Sequence, residues 1–187
     1  PTIIPDRKSG AKQKLSVIEY NSGQYITKEC INIEEAYVHL NTPLVSWINI
    51  DGIIKYEIEK ICKHYGVHNL IVEDILSIGQ RPKMDDIEGR LFCVLNMLYF
   101  NEQGATIETE QISIVLGKNF VISIQEDEQK DVFNSLRERI KIVSSKPRQH
   151  GADFLFYAMI DAIVDNYFLL KDCLRNPRSI LFLSFLI

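Results

Sequence analysis

The sequence predicts an α/β or α+β domain built around a mixed sheet, and three observations carry that reading. Short runs rich in β-branched and aromatic residues alternate with helix-patterned segments through the first half of the chain. Three such runs then follow one another directly over residues 91–125. From residue 131 the apolar spacing turns helical and stays so.

Residues 1–13, PTIIPDRKSGAKQ, are polar and carry Pro and Gly, and they read as a loose leader. Strand-like runs follow at 15–20, 24–31 and 44–50. The last holds Trp47 and ends at the turn pair Asp51-Gly52. Between them, Asn32 followed by Glu34 and Glu35 marks a helix start over residues 32–40. Residues 55–65 place Ile58, Ile61 and Cys62 at helical spacing, and Gly66 supplies the stop. Asn69 is read as the cap of a second short helix carrying Leu70, Ile71, Ile75 and Leu76, with Gly79 and Pro82 ending it. Residues 91–100, 108–116 and 120–125 form a three-stranded meander, with turns at Gly104 and at Gly117-Lys118-Asn119. Beyond Asp131, residues Val132, Phe133, Leu136, Ile140 and Val143 line one side of a helix that Pro147 closes. The last strong element, residues 152–170, is apolar on most sides.

Composition excludes several classes. At 46% hydrophobic and 25% charged the chain matches ordinary globular proteins, not disordered ones. A net charge of −4 with scattered basic residues gives no nucleic-acid surface. The cysteines Cys30, Cys62, Cys93 and Cys173 form no CxxC pair and read as reduced cytosolic thiols, with no structural zinc site. No run reaches the ~20 apolar residues of a membrane-spanning helix, so this chain is expected to be soluble as it stands. The opening at Pro1, without a methionine, is read as a processed or trimmed start.

The chemistry-bearing residues are chiefly acidic. On the last helix Asp161, Asp165 and Asp172 fall within about 40° of one another, with Asp153 about 80° from Asp161. An acidic line on an otherwise apolar helix either faces water or meets other carboxylates around a hard cation, because a buried unpaired carboxylate is costly. Glu73-Asp74, Asp85-Asp86 and Glu126-Asp127-Glu128 are further clusters, but adjacent carboxylates on a helix diverge, so none is a metal site alone. Asp74 projects from a packed helix between Val72 and Ile75, and Glu126 to Glu128 read as a solvated loop. His64 and His68 have i, i+4 spacing, but Gly66 between them favours a helix end and a loop over a metal site. Gln80-Arg81-Pro82-Lys83 is a basic turn that either holds an anion or pairs with nearby acids. No Gly-rich phosphate loop, HExxH or GxSxG occurs.

The run HNLIVEDILSIGQRPKMDDIEGRLFCVLNML at residues 68–98 closely resembles the cytoplasmic domain of CorA-family magnesium and cobalt transporters. SWINIDGI, EQISIVLGKNFVISIQE, DVFNSLRERI and ADFLFYAMIDAIVDNYF match that family in order, over roughly residues 44–172. The resemblance implies an α/β/α sandwich, a mixed central sheet between helices, followed by the start of a long helix. It divides the chain into a leader (1–13), a CorA-like cytoplasmic domain (14–172) and an atypical tail (173–187). It further implies a homopentamer on the cytoplasmic side of the inner membrane, joined to a transmembrane domain that this chain does not contain. Mg2+ or Co2+ would act as a regulatory ion bound between subunits, and the role is not enzymatic. Asp74 stands at the family's principal interface aspartate, Glu73 at a second acidic position, and Asp161 at the matching acidic position on the late helix.

Two departures stand out. The stalk-helix carboxylate and the Gly-Met-Asn pore signature do not occur, and the tail KDCLRNPRSILFLSFLI breaks the helix at Asn176-Pro177 and ends apolar. A frameshift or truncation is the favoured account of that tail, with a native divergent end that packs on the domain or on another copy as the alternative. Two other functional readings stand beside the sensor: a related transporter domain for Zn2+ or another divalent ion, and a soluble α/β enzyme with a site the motifs do not reveal.

Overall fold

The computed structural model describes residues 13–101, 106–127 and 131–175. Seven strands form one sheet: β1 (Lys14–Tyr20), β2 (Tyr25–Cys30), β3 (Val45–Asp51), β4 (Lys83–Ile87), β5 (Arg90–Asn101), β6 (Thr106–Leu116) and β7 (Phe120–Gln125), in the spatial order β2-β1-β3-β7-β6-β5-β4. A 3-10 helix (Ile33–His39) precedes β3. Between β3 and β4 lie α1 (Lys55–His64) and α2 (Asn69–Leu76). After β7 come α3 (Asn134–Lys141), the single turn α4 (Lys146–Gln149) and the long α5 (Ala152–Arg175). Strands β3 and β7 pair in parallel, from Ser46 beside Phe120 to Asp51 beside Gln125, and the other neighbours are antiparallel, so the sheet is mixed.

Strand alternation divides the core in two. Leu15, Val17, Ile48, Ile50, Phe92, Val94, Val115 and Ile122 point to one face, where Ile58, Ile61, Ile71 and Ile75 of α1 and α2 cover them. Ile18, Tyr20, Trp47, Cys93, Met97, Ile112, Ile114 and Val121 point to the other, under Leu136 and Ile140 of α3 and Leu155, Met159 and Ile163 of α5. Helices thus close both faces of the sheet, the three-layer arrangement that the resemblance implies.

Four local readings change. Residues 32–40 form a 3-10 rather than an α-helix: Asn32 accepts from the Glu35 amide at 3.1 Å, and the buried Ile33 and Ala36 sit one three-residue turn apart. Asn69 is the first residue of α2, while His68 caps it by accepting from the Leu70 amide at 3.1 Å. Pro147 opens α4 behind the Ser145 cap, since the first turn of a helix leaves amides unused in any case. Lys83, read as the end of the basic turn, instead opens a strand over residues 83–87. The KMDDI pattern is that of a charged sheet edge, and the two-residue link Glu88-Gly89, with φ of 52° and 73°, closes a tight hairpin to β5.

The turn at Gly117 is as expected and has a steric reason. A Cβ there would sit 2.2 Å from the Phe120 ring, which packs on Tyr65 and under the Arg90 guanidinium. The leader through residue 12, the turn at Gly104, Glu128, the side chains of Asp172 and Cys173, and the tail from residue 176 lie outside the described residues.

A buried polar line runs along the β3–β7 seam. Trp47 Nε1 donates to Ser123 Oγ at 2.8 Å, and Ser123 donates to Asn49 Oδ1 at 2.7 Å. Asn49 Nδ2 and Gln125 Nε2 then donate to Asp51 Oδ1 at 3.0 and 2.7 Å. Arg137 of α3 covers the Trp47 ring at 4.8 Å and pairs with Asp131 at 2.5 Å. Burial raises the Asp51 carboxyl above its ordinary 3.8, partly offset by the hydrogen bond from Asn49. The folded state therefore holds that proton more tightly than the unfolded chain. Asp51 costs nothing below 3.8, and its penalty grows as pH rises above 3.8 and levels off beyond the raised value. Asp51→Asn is expected to abolish this part of the pH dependence, so that wild type loses stability relative to the variant as pH rises from 3.8. Urea denaturation of both proteins across that range checks it.

Candidate functional site

The site grows from α2. Ile71, Val72, Ile75 and Leu76 are buried against the sheet, which leaves Glu73 and Asp74 on the outer side of an anchored helix. The helix ends where the Ser77 amide and hydroxyl both donate to the Glu73 carbonyl, at 3.0 and 2.7 Å. Gln111 of β6 then ties it to the sheet. Its Nε2 donates to the carbonyls of Asp74 (3.3 Å) and Ser77 (3.0 Å), and its Oε1 accepts from the Gln80 amide at 3.2 Å. One buried side chain thus satisfies two carbonyls at a helix end and an amide of the following turn, groups that lack helical partners.

Adjacent on the helix, the two acids diverge. Asp74 points toward β4, where Lys83 Nζ lies 2.6 Å from its Oδ2 and 3.3 Å from Oδ2 of Asp85. Alternation along β4 puts Lys83 and Asp85 on the same sheet face as Val94 and Phe92, under α2, which is why they reach Asp74. The Asp74 side chain keeps 21% of its surface and Lys83 33%, so the pair is accessible from one side. The hydrogen bond to Asp74 holds the Lys83 ammonium above its usual range. Of the basic residues in the Gln80-Lys83 stretch, Lys83 thus pairs with acids. Glu73 is exposed and faces a groove of about 730 Å³ walled by Lys55, Glu59 and Lys63 of α1 and by Asn69, Val72 and Leu76 of α2.

Asp161 lies elsewhere. It and Asp165 are exposed on the outer side of α5, beside Tyr157 and Phe168, on the opposite face of the sheet from α2. One chain therefore brings Glu73 and Asp74 into neighbourhood but not Asp161. Among the described residues no group of three or more His, Cys, Asp or Glu side chains could hold a metal.

The remaining candidates take structural places. His64 Nε2 meets the Tyr37 carbonyl at 3.1 Å and its ring stacks on Tyr37 at 4.0 Å. Burial pushes the Cys62 thiol up to about 12 and that of Cys93 to about 11, so neither is a nucleophile near neutral pH. The amides of Glu126 and Asp127 donate to Glu110 at 2.5 and 2.8 Å, making that loop an anchored turn. Sequence reasoning missed Gln111. The signal was a glutamine at an inward-facing position of β6, in step with Ser113 and Val115.

The comparisons with known proteins agree with this architecture. The CorA-like Mg2+ transporter protein family matches residues 44–178. The cobalt/magnesium transport protein CorA of Thermotoga maritima is 33% identical over 181 residues, covering 96% of this chain and 51% of that protein. The putative metal ion transporter YfjQ of Bacillus subtilis is 31% identical over 122 residues, 65% of this chain and 36% of that protein. The soluble domain of CorA from Methanocaldococcus jannaschii shares the fold, with a TM-score of 0.61 at 20% identity, over 91% of this chain and 64% of that one.

This chain belongs to the CorA-like Mg2+ transporter family. It spans about half the length of the T. maritima relative. No helix among the described residues is long and apolar enough to cross a membrane.

Gln111→Leu is expected to leave the Asp74 and Ser77 carbonyls without their partner and to lower stability by about 1–3 kcal/mol. Amide hydrogen exchange should quicken at Gln80 and across α2 before it does in α5; uniform exchange would contradict the clamp.

Proposed function

We propose that this chain is the divalent-cation-sensing and gating domain of a Mg2+/Co2+ transporter that works as a homopentamer, with this domain on the cytoplasmic side of the inner membrane. The observation that carries the reading is the placement of acids: Glu73 and Asp74 stand on a clamped helix over one sheet face, and Asp161 stands exposed over the other. A ring of copies can bring one subunit's α2 edge to a neighbour's α5 edge, whereas a single chain cannot. In this reading each contact between copies holds half of an ion site on either side.

The donor set suits the ion. Glu73, Asp74 and Asp161 offer carboxylate oxygens, which favour hard cations over thiolate-seeking ones. Mg2+ keeps several waters and needs only one or two carboxylates, so exposed acids on two surfaces suffice. Bound there, the ion would supply positive charge between surfaces that otherwise repel. Its differential affinity for the closed ring shifts the equilibrium toward that state, and its release loosens the ring.

Asp74→Ala in the full-length protein tests the reading. Mg2+ is expected to protect the wild type from protease and to lose most of that protection in the variant. Unchanged protection would remove Asp74 from the sensor.

A further inference from the structure

Asp74 is not a bare carboxylate waiting for an ion. It already holds a cation, the Lys83 ammonium at 2.6 Å, and that ammonium has a second carboxylate in reach, Asp85 at 3.3 Å. All three groups are only partly exposed, with side-chain exposures of 21% for Asp74, 33% for Lys83 and 43% for Asp85. Solvent screening is therefore incomplete, and a second cation at Asp74 would feel the ammonium directly.

We infer that Lys83 is a built-in competitor for the ion at Asp74, displaced onto Asp85 when the divalent cation binds, and that it sets the concentration at which the sensor responds. The inference rests on the proposed role of Asp74 as an ion ligand. Its geometry follows from strand β4. Lys83 and Asp85 are two residues apart and share a face, so the lysine can exchange one oxygen for the other by side-chain rotation with no backbone change.

Charge makes the arrangement functional. With Lys83 on Asp74, the outer edge of α2 presents one uncompensated carboxylate, Glu73, which takes no ion pair among the described residues. With Lys83 on Asp85, the Asp74 carboxylate is freed for the ion, and the outer edge of α2 gains one negative charge. Binding therefore leaves no ammonium stranded beside a dication. Without an ion, the same lysine lowers the repulsion between acidic surfaces, so the empty contact is loosened without being driven fully apart. Monovalent cations gain little from such a site, because each would exchange one single charge for another already held at hydrogen-bond distance.

The test is a titration of full-length protein with Mg2+, reading the concentration that gives half-maximal protection from protease. The variants are Lys83→Met, Asp85→Asn, the double variant and Asp74→Asn, with circular dichroism as the check of folding. Lys83→Met is expected to respond at roughly 1.5- to 5-fold lower Mg2+, the worth of a partly exposed ion pair. Asp85→Asn alone is expected to need about 2- to 5-fold more, since the lysine loses its second partner. In the double variant that increase should vanish, because Asp85 acts through Lys83. Should Lys83→Met itself misfold, Lys83→Gln is read in its place.

An unchanged or higher Mg2+ requirement in Lys83→Met, with the response lost in Asp74→Asn, overturns the competitor role and leaves the sensor reading standing. An equal effect of Asp85→Asn with and without Lys83 overturns the exchange between the two acids. An unchanged response in Asp74→Asn overturns the sensor reading, and the competitor role with it.

Discussion

The parallel seam between β3 and β7 holds the rest of the molecule in place. It joins two strands separated in sequence by α1, α2 and the whole β4–β6 meander, so nothing local enforces it. Six residue pairs, from Ser46–Phe120 to Asp51–Gln125, give the ladder, and the line Trp47, Ser123, Asn49, Asp51, Gln125 gives it a buried polar lock. In a low-dielectric interior each missing partner costs more than each bond gains, and along this line only Gln125 Oε1 lacks one among the described residues. With the seam closed, the intervening chain must leave and return over the sheet. That forces α2 to lie across the β4–β6 side, within reach of Lys83 and Gln111.

What was legible in the sequence followed from period and composition. The meander could be read because ISIVL and FVISI, flanking Gly117-Lys118-Asn119, carry β-branched residues on both faces, as strands covered by helices on both sides must. α1 could be read because Ile58, Ile61 and Cys62 keep helical spacing up to Gly66. Strand β4 could not. Its KMDDI is too charged to look like a strand in isolation, and only pairing with β5 at the sheet edge gives it one. The 3-10 helix was likewise invisible, since an Asn followed by glutamates signals a helix start without saying which helix.

The acids divide in the same way. That Glu73 and Asp74 project from a packed helix is visible in the spacing of Ile71, Val72, Ile75 and Leu76. That Asp74 is already neutralised depends on β4, and so could not be seen before the sheet was built. The basic turn QRPK looked like an anion site or an ion-pair partner. The fold decides for the partner by carrying Lys83 under α2. The acidic line on α5 looked unusual against its apolar neighbours, and the structure resolves that in part: Asp161 and Asp165 are exposed while Leu155, Met159 and Ile163 bury the other side. The exposed Tyr157, Phe168 and Leu169 beside them make this side of the helix mixed rather than polar.

The central claim is that ions are held between copies by α2 of one and α5 of the next. Crystals of the full-length protein grown with Co2+ and measured at the cobalt absorption edge test it most directly. The account predicts an anomalous peak at the subunit contact, about 2–2.5 Å from a carboxylate oxygen of Asp74 or within one bridging water of it. Such a peak should have Lys83 turned toward Asp85. Cobalt found only away from α2, or no cobalt at any contact between subunits, would contradict the account.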